Sequence, residues 1–75
     1  MKKLDLHGTK HADAKAKVIR FLESNWGSGK QVEIITGNSI VMRSIVVEVL
    51  SEYQLECDMT DLFGFNNSRV TTIME

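Results

Sequence analysis

The sequence predicts an α/β fold of the two-layer α+β kind, a four-stranded mixed sheet with two helices on one face, in the order β-α-β-α-β-β. Two observations carry this. Apolar residues alternate in the short runs KKLDLH, QVEIIT, LECDM and RVTTIM, the pattern of half-buried strands. Two longer segments lie between the first three runs, and their apolar residues recur at helical spacing. Each strand-helix-strand unit is expected to be a right-handed crossover between parallel strands, with the last two strands in a hairpin.

The elements follow in order. In KKLDLH, Leu4 and Leu6 should face one side and Lys3, Asp5 and His7 the other, and Gly8 ends the run. A helix is expected from Lys10 to Asn25, with Thr9 as its N-cap and Ala14, Val18, Phe21 and Leu22 as its apolar stripe. Asp13 would sit near the positive end of its dipole. Gly27-Ser28-Gly29 breaks that helix. QVEIIT is the second strand, bounded by Gly29-Lys30 and Gly37. The next segment, NSIVMRSIVVEVLSEYQ, is rich in β-branched residues, which favour strands. Its spacing argues otherwise, because Met42, Ile45, Val46, Val49, Leu50 and Tyr53 fall on one helical face. Period and length outweigh propensity, so a helix is expected from Ile40 to Tyr53, capped by Asn38 or Ser39. LECDM should turn Leu55, Cys57 and Met59 inward, Asp61 to Ser68 is a loop, and RVTTIM is the last strand.

Seventy-five residues suit one domain, 1–75, with room for a single small core. No apolar run approaches the roughly 20 residues of a membrane helix. Two lysines open the chain without an apolar stretch behind them, so no signal peptide is expected. A single cysteine, Cys57, excludes an internal disulfide and suits a cytoplasmic setting. The net charge of −1 conceals an asymmetry. Residues 1–38 carry seven Lys and Arg against four Asp and Glu, and residues 39–75 carry two against six. A basic half suits a phosphate backbone, although a solvated lysine-rich helix face gives the same count.

Two short stretches could carry chemistry. Asp5 and His7, two apart on a strand, would share a face with Cβ atoms roughly 7 Å apart. Histidine gives or takes a proton near neutral pH, and a neighbouring carboxylate can orient its ring. The plain alternative is a solvated strand with an incidental histidine. Thr36-Gly37-Asn38-Ser39 joins a strand to a helix N-terminus, where unpaired N–H groups suit a phosphate. The plain alternative there is turn and cap chemistry. With the first two strands adjacent, both stretches would end at the same sheet edge, which is where ligands bind in open α/β sheets. Other features point nowhere specific. Gly27-Ser28-Gly29-Lys30 lacks the spacing of a phosphate loop and precedes a strand. His7 and His11 are four apart but on different elements, so no zinc site is expected. Trp26 and Cys57 read as packing residues, and Phe63 and Phe65 either stack on bases or pack the hairpin.

LDLHG at residues 4–8 and IITG at 34–37, each before a helix, resemble the Smr (small MutS-related) domain family. The LDLHG motif is unchanged. Of the TGxG motif, Thr36 and Gly37 match, Asn38 fills the variable place, and Ser39 replaces the last glycine. Asn67-Ser68 approximates a further family feature before the last strand. The resemblance covers Lys3 to Met74. It implies a fold like the C-terminal domain of bacterial translation initiation factor three. It also implies nucleic-acid binding, with endonuclease activity on RNA in some members and on branched or duplex DNA in others, and action at stalled ribosomes in some. The chain looks like a stand-alone minimal member, of a kind that suits a phage or other mobile element.

The leading expectation is therefore an endonuclease cleaving RNA, or structured or single-stranded DNA, with His7 as general acid/base and Asp5 orienting it or sharing the proton transfer. Gly8, Thr36, Gly37, Asn38 and Ser39 would hold the phosphate, and Lys10, Lys15, Lys17 and Arg43 would follow the flanking backbone. No metal site and no cofactor are expected. Mg²⁺ is not required by this reading, and Asp5 would hold it if water were the nucleophile. The expected partner is nucleic acid, ribosome-associated or free, with no membrane, and the expected state is a monomer or weak dimer. Two rivals stand beside it: a non-catalytic nucleic-acid- or ribosome-binding module, favoured by the Ser39 departure, and a small protein-interaction domain using the Phe63–Phe65 loop. A motif glycine at positive φ would make Ser39 cost on the order of 1 kcal/mol.

Overall fold

The computed structural model describes residues 2–56 and 69–74. The elements are β1 (Lys2–Asp5), α1 (His11–Asn25), β2 (Gln31–Ile35), α2 (Ile40–Glu52) and β3 (Arg69–Ile73). Strand β2 is central, parallel to β1 and antiparallel to β3. Among the described residues the architecture is α+β, a three-stranded mixed sheet with two helices. Of the expected strand LECDM, Leu55 and Glu56 lie in no strand, and residues 57–59 lie outside the described residues. So do Phe63, Phe65, Asn67 and Ser68. The four-stranded form, and the likeness to the initiation-factor domain, go beyond what the described residues contain.

Register decides which side chains meet. Leu4 pairs with Ile34, and Ile34 with Val70, so these three share a face. Against that face pack Ala14, Val18 and Leu22 of α1 and Met42, Val46, Val49 and Leu50 of α2, all in one buried cluster with Leu6, Val32, Leu55 and Met74. The β-branched residues of α2 do not prevent a helix, because its i, i+4, i+7 and i+8 positions are the ones the sheet buries. Both helices therefore lie on one side. No helix among the described residues is long and apolar enough to cross a membrane.

The other face of β2 carries Glu33, whose side chain is only 5% exposed. The register sets Lys3 of β1 directly beside it. Arg69 Nη1 of β3 donates to Glu33 Oε1 at 2.8 Å, and Lys3 Nζ lies 3.6 Å from Oε2. Each carboxylate oxygen thus faces its own cation, which offsets the cost of removing the charge from water. One side chain ties the three strands together.

The end of α2 departs from the usual chemistry. Leu55 N–H donates to Leu50 O, and Gln54 N–H donates to Ser51 O, the paired hydrogen bonds of a Schellman motif. That motif needs left-handed backbone at the residue after the cap, and Gln54 supplies it at φ 58°. Glycine is the usual occupant because a Cβ is strained there. Gln54→Gly should therefore stabilise the domain by about 0.5–1 kcal/mol, offset in part by the freer unfolded chain. Urea denaturation read by circular dichroism checks the sign. Beside this turn, the Trp26 and Tyr53 rings meet edge-on with centroids 5.7 Å apart.

Candidate functional site

Asp5 and His7 are not neighbours on one strand face. The strand ends at Asp5. Leu6 N–H still donates to Ile35 O at 2.9 Å, which keeps the chain against β2 and Leu6 in the core. There the chain turns, with Thr9 N–H donating to Leu6 O at 2.9 Å. Gly8, at φ 78°, holds the third position of the turn, and His7 has a negative φ at the second. That is a type II turn, which requires glycine-like backbone at the third position. Asp5 fixes the corner, its Oδ1 accepting from the main-chain N–H of His7 at 2.8 Å. The carboxylate thus meets the histidine's backbone, and among the described residues the imidazole makes no hydrogen bond and is exposed.

The second motif forms a turn of its own between β2 and α2. Gly37 is at φ 66°, and an added Cβ would meet nothing within 4 Å. Gly8 is equally open. Both glycines are therefore needed for backbone conformation, and both leave room above the chain for a ligand to approach. Thr36 is buried, and its hydroxyl donates to Gly37 O at 3.0 Å.

Ser39 answers the question raised by the missing glycine. Its φ is −79°, a region open to every residue, so no strain follows from the side chain. Its Oγ accepts from Met42 N–H at 3.0 Å and caps α2. As an acceptor in that bond, the hydroxyl keeps its own proton as a donor. Restoring glycine here would remove the cap and relieve nothing.

Because β1 and β2 are adjacent and parallel, the two turns end at the same edge. Leu6, His7, Gly8, Thr9 and His11 from the first turn and Thr36, Gly37, Asn38, Ser39 and Met42 from the second together line a depression of about 370 Å³. Two helix N-termini open onto it, that of α1 at His11 and that of α2 at Ser39–Ile40. Their positive ends and first-turn N–H groups favour an anion.

Of the expected cations, Lys17 reaches back along α1, its Nζ 3.3 Å from Thr9 Oγ1 on the rim. Lys10 is exposed and occupies the N-cap of α1, where Thr9 was expected, and it gives no side-chain cap. Lys15 points away, with Nζ 3.8 Å from Glu52 Oε1 on α2. Arg43 lies on the flank of α2 with Ser44, Val47 and Glu48, outside the depression. His11 is the residue that sequence reasoning set aside. The sequence raises it only as a metal ligand, and the signal that could have found it is its place at a helix start beside the LDLHG turn. Among the described residues no three His, Cys, Asp or Glu side chains group as metal ligands.

No curated protein and no solved structure gives a significant match to the chain. The family model for the Smr domain matches residues 4–67, from the first motif leucine through both turns. With most of its length under that match, the chain belongs to the Smr domain family.

Proposed function

We propose that this chain is a nucleic-acid endonuclease in which His7 moves the proton and the Thr36–Ser39 turn holds the scissile phosphate. The observation that carries the reading is the convergence of His7, Gly8, Thr36, Gly37, Asn38 and Ser39 on one depression between two helix N-termini. The open glycines let phosphate oxygens approach backbone N–H groups, and the Ser39 hydroxyl adds a donor. Lys17 and Lys10 extend positive charge along the rim for the flanking backbone. Asp5 is a positioning residue: it holds the turn that presents His7.

On RNA, the adjacent 2′-hydroxyl is the nucleophile. His7 takes its proton as the 2′-oxygen attacks phosphorus, the bond to the 5′-oxygen breaks, and the products are a cyclic phosphate and a 5′-hydroxyl. Incubating the protein with end-labelled single-stranded RNA, hairpin RNA and branched DNA, with EDTA or Mg²⁺, tests this. The expected result is EDTA-resistant cutting of RNA with 5′-hydroxyl ends. Products with 5′-phosphate ends would mean activated water instead. Salt-sensitive binding without cutting on any substrate would leave a non-catalytic module.

A further inference from the structure

The geometry points to His11 as a second catalytic residue, the acid that protonates the leaving 5′-oxygen when RNA is cut. This rests on the reading above and completes its proton accounting. In an in-line displacement at phosphorus, the attacking and leaving oxygens lie on opposite sides of the phosphorus atom. One imidazole at the attacking oxygen cannot also touch the leaving one, so a second proton-carrying group is needed.

Asp5 is poorly placed for that part. It does not line the depression, and its Oδ1 is held by the His7 main chain. His11 does line it, from a different element than His7. His7 sits at the corner of the turn after β1, and His11 is the first residue of α1, across Gly8 and Thr9. Both side chains are exposed to an incoming strand. Histidine is also the side chain best suited to give a proton near neutral pH. His7 accepts the proton of the 2′-hydroxyl as the new oxygen–phosphorus bond forms. The His11 imidazolium gives its proton to the 5′-oxygen as the old bond breaks. The two rings then exchange protons with water and return to their starting states.

The test separates the two proposals. The RNA cut by the wild type is mapped, then resynthesised with sulfur in place of the bridging 5′-oxygen at that site. A thiolate leaves without protonation, so the acid becomes dispensable. His11→Ala is expected to cut the oxygen substrate about 10²- to 10⁴-fold more slowly than wild type, the usual range for a general acid, and the sulfur substrate within about tenfold of wild type. His7→Ala should stay slow on both, because the base is still required. Unchanged cutting of the oxygen substrate by His11→Ala overturns the inference and leaves the endonuclease reading intact. So does an equal loss on both substrates, which would mark His11 as a binding residue. Absence of cutting by the wild type removes both proposals. Alanine is a good helix former at an exposed helix start, so the variant should fold.

Discussion

His7→Ala is expected to reduce cleavage about 10²- to 10⁴-fold, the contribution of a general acid/base, while leaving nucleic-acid affinity within about twofold. The separation follows from how the residue is held. The turn that carries His7 depends on its main-chain N–H, which donates to Asp5, and on Gly8. Both survive the substitution, and the exposed imidazole contributes nothing to the core. Asp5 gives the companion result. Asp5→Asn keeps an oxygen acceptor for that N–H, whereas Asp5→Ala removes it. If Asp5 acts by shaping the turn, Asp5→Asn retains most of the activity and Asp5→Ala loses it. If the carboxylate itself moves a proton, the two variants fail alike. Single-turnover cleavage together with filter binding reads both quantities.

Leu6→Ala should have the largest effect on stability. Leu6 is 1% exposed and lies in the main apolar cluster, so truncation costs about 2–5 kcal/mol. A domain of this size has a margin of roughly 3–5 kcal/mol, so the variant should lose most of its cooperative urea transition. Leu4 lies one turn of the pleat away and is only half-buried, and Leu4→Ala should keep a clear transition at a lower midpoint. Comparable midpoints for the two variants would mean that Leu6 is not the anchor of the motif turn. In the LDLHG motif the leucine next to the histidine therefore acts mechanically, pinning the last residue before the turn against β2.

The helices were legible because periodicity survives poor propensity. In α2, valine and isoleucine weaken the intrinsic preference, but the stripe from Met42 to Leu50 matches the face that the sheet buries. The adjacency of the two motifs was also legible, since a parallel crossover brings strand ends to one edge. The point where the β1 ladder stops was not. Alternation carries through His7, but Gly8 and the Asp5 side chain turn the chain before it, a competition between side-chain and ladder hydrogen bonds that pattern does not show. The burial of Glu33 was not legible either. Its place in QVEII puts it on the face away from the core, yet it is buried there, between Lys3, its register partner on β1, and Arg69, two residues from its register partner Thr71 on β3. Pairing partners are a tertiary fact, and a single strand's sequence does not contain them. His11 stayed hidden because the sequence pairs it with His7 only as a metal ligand, on a different element, and only the shared depression shows what it faces.

The Trp26–Tyr53 contact gives the domain a built-in optical reporter. Trp26 is the only tryptophan in the chain, and it sits at the far end of α1, roughly 20 Å along the helix from His11. Its indole is half in water and half against a residue of the other helix, so its emission should shift when the two helices separate. A ligand bound at the opposite edge would leave it undisturbed. Global unfolding can thus be followed by tryptophan emission with substrate present, without attaching a dye to so small a protein.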